Sequence, residues 1–128
     1  MKTNNIVVLV LFGAAFWLVG TLWYRARGQA IFETTAPRFW INFVATPILS
    51  TLVFVGVFRW RQVPAPAWSA AALLVAIPGM LGEALLLSRF SAWMPGMQAA
   101  SAGRYGGFLF ATYALVLGVA EVVTLRAG

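Results

Sequence analysis

Four runs of apolar residues fill most of the chain, and each is long enough to cross a bilayer. Ile6 to Tyr24 is 19 residues without a charge. As a helix it is about 28 Å long at 1.5 Å per residue, close to the thickness of the hydrocarbon core. Comparable runs occupy residues 39–58, 68–88 and 105–125. A backbone in hydrocarbon must satisfy its own N–H and C=O groups, so runs of this length are helices. The chain reads as all-α: a four-transmembrane-helix bundle with antiparallel neighbours, spans at about 6–24, 39–58, 68–88 and 105–125, and a single integral membrane domain over residues 1–128. Only 9% of its residues are charged, against about 25% in a soluble domain, and no length is left for a second unit.

The first run follows a polar leader, Met1–Asn5. A cleaved signal would have an apolar core of about 7–15 residues and a small-residue cleavage site. This run is longer and is followed at once by Arg25 and Arg27, so a retained helix is expected. Residues 25–37 read as a loop, residues 62–67 with Pro64 and Pro66 as a tight connector, and residues 90–103 as a loop along the interface. Trp23 and Tyr24 sit where an aromatic belt lies, and Trp40, Trp60, Trp68 and Trp93 read as interface anchors. Pro47 and Pro78 each remove a helix donor, freeing the carbonyls of Phe43 and Leu74 and predicting a kink in the second and third spans.

The net charge of +6 comes from one Lys and eight Arg against three Glu. These cations sit at the ends of the apolar runs, where they anchor to headgroups. The lipid bilayer is therefore the expected partner, and nucleic acid is not. Arg25, Arg27, Arg38, Arg89 and Arg104 fall on one side of the membrane, and Lys2, Arg59, Arg61 and Arg126 on the other. Lys2 and the Arg59-Trp60-Arg61 anchor suit the cytoplasmic face, which puts both termini in the cytoplasm. The near balance also permits insertion in both orientations, and with it an antiparallel homodimer. The chain has no Cys, His or Asp. Thiolate and imidazole metal sites, Cys and Ser-His nucleophiles and His-ligated haem are excluded, and no metal or cofactor is expected.

Against this background Ile77-Pro78-Gly79-Met80-Leu81-Gly82-Glu83 stands out, because it sets a carboxyl inside an apolar span. An ionisable group there costs roughly 3 kcal/mol on insertion scales, so it faces protein or water instead of lipid. Ser69, Ala72, Ala76, Gly79 and Glu83 recur at helical period on one stripe, with Leu74, Ile77, Leu81 and Leu85 opposite. Small stripes let helices approach closely in lipid, so Glu83 is expected to point into the bundle. In the second span Arg38, Asn42, Thr46, Leu49, Val53 and Gly56 share a stripe. Glu83 is expected to pair with Arg38 and to hydrogen-bond Asn42, with Thr46 beside them. This cluster of Glu83, Arg38, Asn42 and Thr46 is either a polar binding pocket with an ion-coupling carboxylate or an interhelical pair that fixes packing. In the fourth span Gly107, Ala111, Ala114, Gly118 and Glu121 form a second small stripe ending in a carboxyl. Glu121 is expected to reach the interface and meet Arg59, and Glu33 to be a solvated loop charge.

Pro78-Gly79-Met80 with a carboxylate soon after, the stretch from Phe90 to Met97, and Gly106-Gly107 opening an apolar helix that carries Tyr113 resemble small four-helix bacterial membrane proteins of a family of unknown function. The resemblance covers mainly residues 75–118. It implies a bacterial inner-membrane protein and supplies no reaction, cofactor or site residue. Three functions follow from these readings. The first is a non-enzymatic accessory or binding protein. The second is a small dual-topology transporter with Glu83 as coupling carboxylate; its size and balanced Arg resemble small multidrug transporters, whose coupling Glu lies in the first span instead. The third, a lipid-directed enzyme, would have to work with Glu83 or Glu121 and Arg alone, which is a thin active site.

Overall fold

A computed structural model describes residues 2–128, so Met1 of the polar leader lies outside the described residues. Five α-helices follow in order: α1 (Thr3–Phe32), α2 (Ala36–Trp60), α3 (Trp68–Ser88), the single turn α4 (Phe90–Trp93) and α5 (Ala102–Ala127). Short 3-10 turns at Ala65–Ala67 and Ala99–Ser101 lead into α3 and α5. No strand occurs among the described residues. The long helices α1, α2, α3 and α5 are the four that are long and apolar enough to span a membrane. The all-α bundle is thus the one the sequence predicts, and α2 and α3 continue as helix through Pro47 and Pro78.

The first boundary differs from expectation. α1 runs on through Arg25 and Arg27 for 30 residues in all, about 45 Å, and the expected loop at 25–37 shrinks to the few residues before α2. Nothing from Arg25 to Phe32 breaks a helix, and Tyr24, Gly28 and Phe32 keep one buried face going at intervals of four. Thr35 then caps α2, its hydroxyl accepting from the Arg38 N–H at 3.4 Å. At the far end of α2, Val63 N–H bonds the Phe58 carbonyl at 2.9 Å and Gln62 N–H bonds that of Arg59 at 3.0 Å. This Schellman arrangement puts Gln62 at φ 54°.

Consecutive spans run antiparallel, yet two of the three main helix contacts join spans that are not consecutive. α1 lies mainly on α3, α3 on α5 and α5 on α2, while α1 and α2 approach less. The α1–α3 and α2–α5 pairs are therefore parallel. Glycine makes the first pair possible: a Cβ built on Gly13 would overlap the Val75 carbonyl, so the two backbones touch there. Gly82 does similar work one turn past Pro78, where a Cβ would come within 2.5 Å of the Trp17 ring.

The buried stripe of α3 is the expected one. Ala72, Ala76, Gly79 and Glu83 are buried, and Leu81 and Leu85 are 64% and 69% exposed. Leu74 departs from its expected place by packing, half-buried, on the core. The other two stripes are corrected. α2 buries Phe39, Pro47, Ser50, Thr51, Phe54 and Phe58, and turns Leu49, Val53 and Gly56 outward. α5 buries Tyr105, Phe108, Thr112, Val116 and Ala120, leaving Gly107, Ala114, Gly118 and Glu121 exposed. Rings and branched side chains fill most of the inner face of α5, with Gly106 and Ala120 among them, so the predicted small stripe is not the buried one.

Polar ties close both ends. Near the start of α1, Arg61 Nε donates to Asn5 Oδ1 at 3.0 Å. Beside it, Ser69 Oγ donates to Glu121, and Thr124 Oγ1 accepts from Ser69 N–H at 2.9 Å. Thr124 thus takes a backbone N–H at the start of α3, while Glu121 holds the Ser69 hydroxyl and makes no ion pair with the exposed Arg59. At the other end Glu33 accepts from the Gln98 N–H at 2.7 Å and from Ser101 Oγ, just before α5. It is a staple, not the solvated charge expected. The segment after α3 also turns inward: Phe90, Met94 and Met97 are buried and Trp93 remains outside. Trp68 is likewise buried, its Nε1 donating to the Val63 carbonyl at 3.0 Å, and is not an interface anchor. Trp23, Trp40 and Trp60 are exposed as anchors should be.

Gly13→Leu is expected to destabilise the bundle by about 1–3 kcal/mol through overpacking. Gly56→Leu, where a Cβ meets nothing within 4 Å, is expected to change little. Thermal unfolding of both variants in detergent measures the difference, and equal melting temperatures would show that α1 and α3 do not touch as described.

Candidate binding site

The seam between α1 and α2 is bridged by side chains: Phe16 packs at a tilt against Phe54 with centroids 4.8 Å apart, and Tyr24 donates its hydroxyl to Asn42 Oδ1 at 2.8 Å. Between these bridges lies a chamber of about 550 Å3 that all four long helices wall. An apolar cluster closes each end. One contains Leu9, Phe58, Trp68 and Val116; the other contains Phe32, Phe90, Met94 and Tyr105. Toward the lipid the chamber is rimmed by Val19 and Trp23, both more than half exposed.

Three of the four residues singled out from the sequence line this chamber: Glu83 from α3, and Asn42 and Thr46 from α2. Thr46 donates its hydroxyl to Asn42 Oδ1 at 2.9 Å, one helical turn away. Arg38 is not among them. It is exposed in the first turn of α2, and no ion pair joins it to Glu83. The expected Glu83–Arg38 pair and the Glu83–Asn42 hydrogen bond are both corrected. The Asn42 side-chain oxygen accepts from Tyr24 and Thr46, and its Nδ2, the group that could donate to a carboxylate, has no partner and does not reach Glu83. Arg38, a turn nearer the surface, stays where its guanidinium remains hydrated, as long basic side chains at helix ends do.

The chamber also gathers residues the sequence reading passed over. Thr21 and Trp17 from α1, and Tyr105, Thr112 and Tyr113 from α5, face Glu83 and Asn42 across it. Two glycines seat these rings: a Cβ on Gly79 would overlap the Tyr113 hydroxyl, and Gly82 faces Trp17. The signal was present in the sequence as Gly79 and Gly82, one turn before and one residue before the carboxyl. What was missing was the partner across the interface.

Among the described residues, four buried side-chain polar atoms have no protein hydrogen-bond partner: Trp17 Nε1, Thr21 Oγ1, Asn42 Nδ2 and Glu83 Oε2. All four belong to residues that line this one chamber. Each such group left unsatisfied costs roughly 1–3 kcal/mol, and an ionisable residue in a membrane interior is a candidate for a functional position. The Trp17 indole lies toward Glu83 and the Thr21 hydroxyl toward Tyr105 without closing a hydrogen bond, and the set offers two N–H donors, one hydroxyl and one carboxyl, and no cation. A wider depression of about 690 Å3 on the outer face of α2, between Pro37 and Leu49, has apolar walls and lies against lipid.

A family of unknown function, DUF5367, matches residues 31–127. The chain belongs to this family. The match takes in α2 to α5, and with them Glu83, Asn42, Thr46, Tyr105 and Tyr113, whereas most of α1 lies before it. No curated protein and no solved structure matches the chain.

With Arg38 out of reach, the two positions should act independently. Glu83→Gln, Arg38→Ala and the double variant are expected to be additive in unfolding free energy to within about 0.5 kcal/mol. A coupling clearly larger than that, measured by the same denaturation assay on all three, would restore the ion pair.

Proposed function

We propose that this small multi-pass membrane protein is a non-enzymatic binding protein that holds a small molecule in the chamber between its helices. The observation that carries the reading is the convergence of four unpartnered polar atoms on a single cavity in an otherwise apolar bundle. Buried polar groups are normally paired, and a ligand that pairs them would account for their place in an apolar interior. The volume, about 550 Å3, suits a small organic molecule. The absence of Cys, His and Asp from the sequence favours binding over catalysis, since Glu83 has no imidazole or second carboxyl to share a proton with.

We place the protein in the bacterial cytoplasmic membrane with both termini in the cytoplasm. Support comes from Lys2 and the Arg59-Trp60-Arg61 anchor, which meet at one end of the bundle through the Asn5–Arg61 bonds. The competing reading is an antiparallel dimer that transports its ligand, coupled by Glu83. It is favoured by Glu83 lining cavities on two sides of the bundle. It is disfavoured because one chain walls the chamber with its own four helices and needs no inverted partner to complete it.

Two measurements test this. Reporter fusions at Gly128 are expected to give cytoplasmic signal only; an even split between the two sides of the membrane would favour the inverted dimer. Thr21→Val removes one orphan hydroxyl at nearly constant volume. It is expected to leave the unliganded melting temperature unchanged or raised, and to reduce the stabilisation that compounds from a small-molecule thermal-shift screen give the parent protein. If no compound of any class shifts the parent's melting temperature, the chamber is not a ligand site.

A further inference from the structure

A second cavity, of about 200 Å3, opens between α3 and α5 on the other side of Glu83. Its own walls are Met80, Ala84, Leu87, Gly106 and Phe110, almost wholly apolar, with Phe110 72% exposed at the rim. Glu83, Leu109 and Tyr113 line both this groove and the chamber. The carboxyl therefore stands in the partition between a ring-walled polar space and an apolar channel leading to lipid.

We propose that the two spaces form one site for a monocationic amphiphile, with its positive group against Glu83 among the rings of the chamber and its hydrocarbon tail in the α3–α5 groove. This rests on the reading of the chamber as a ligand site and adds the charge and shape of the ligand; a hydroxyl or carbonyl beside the positive group would meet the Trp17 and Asn42 N–H donors, and the charge is what the titration probes isolate. The argument is one of complementarity. Glu83 is the only charged residue type in either lining; no Lys or Arg reaches it. A buried carboxylate without a counter-charge is costly, and a bound cation supplies what the protein does not. Trp17, Tyr24, Tyr105 and Phe108 all line the same space, and aromatic rings attract alkylammonium groups once water is excluded. An anion or the acidic half of a zwitterion would meet Glu83 with no basic group to offset it. A small hydrophilic cation would leave the apolar groove unfilled. A tail in that groove buries CH2 groups against Met80, Leu87 and Phe110, and gives the ligand a route in from the bilayer.

Isothermal titration of the full chain in a neutral maltoside detergent tests the assignment with four probes: hexyltrimethylammonium, 1-hexanol, hexanesulfonate and tetramethylammonium. Hexyltrimethylammonium is expected to bind saturably, and at least about tenfold tighter than each of the other three, a difference of about 1.4 kcal/mol or more. Glu83→Gln is expected to remove that preference over hexanol. Ala84→Trp, which fills the groove from its exposed rim, is expected to remove the advantage over tetramethylammonium. Circular dichroism and melting temperature establish that both variants remain folded. Hexanol or hexanesulfonate binding as tightly as the cation would overturn the charge assignment while leaving the chamber as a site. An unchanged gain from the tail in Ala84→Trp would overturn the groove. If none of the four probes binds, the cationic class fails, and the broader thermal-shift screen decides separately whether the chamber holds a ligand at all.

Discussion

The backbone contact of Gly13 with Val75 sets the spacing of the rest of the bundle. In lipid there is no hydrophobic drive between helices, so close approach depends on small residues that let backbones meet. Here that approach joins α1 to α3, two helices that run the same way and are not consecutive in the chain. With α1 held on α3, and α2 drawn to α5, the α1–α2 seam stays wide. Rings span it at Phe16–Phe54 and at Tyr24–Asn42, and the space the rings leave between them is the chamber. The cavity is thus a consequence of which pair of helices touches, and its polar lining comes from residues on all four.

The three carboxyls show how differently one residue type is used. Glu33 and Glu121 sit near opposite ends of the bundle, and each accepts hydrogen bonds from the residues that open a neighbouring helical segment. Glu33 takes the Gln98 N–H and the Ser101 hydroxyl, Glu121 takes the Ser69 hydroxyl, and the dipole at a helix start favours negative charge near it. These two carboxylates are therefore accounted for by local structure, without any arginine. Glu83 has no helix start beside it and one oxygen without a protein partner. Where its neighbours are explained by packing, it is not, and that contrast separates it from the other two more clearly than its position in an apolar run.

The arginines take no part in the interior. Arg61 ties Asn5 and lies over the Trp60 ring, with its guanidinium carbon 5.2 Å from the centroid. Arg104 donates to the Phe32 carbonyl at 3.2 Å and covers the Phe39 ring at 5.4 Å. Guanidinium groups of this kind bond free carbonyls at helix ends and stack on rings while staying hydrated. The expected Arg38–Glu83 pair asked an arginine to leave that environment, and depth along the helix axis alone was not enough to bring the two together.

The order of residues alone determined the four spanning helices, the class of solvent around them and the buried face of α3. Apolar length and helical period are local properties, and hydrocarbon leaves the backbone no other choice. Asn42, Thr46 and Glu83 were legible as interior polar residues for the same reason. The tertiary structure decided which helices touch, and with that the true inner faces of α2 and α5, the extension of α1 to Phe32 and the roles of Trp17, Thr21 and Tyr113. A stripe of small residues states where another helix could come close, as on Gly107 and Gly118, but not whether one does. That depends on the summed fit of all four surfaces at once, a quantity no single helix contains.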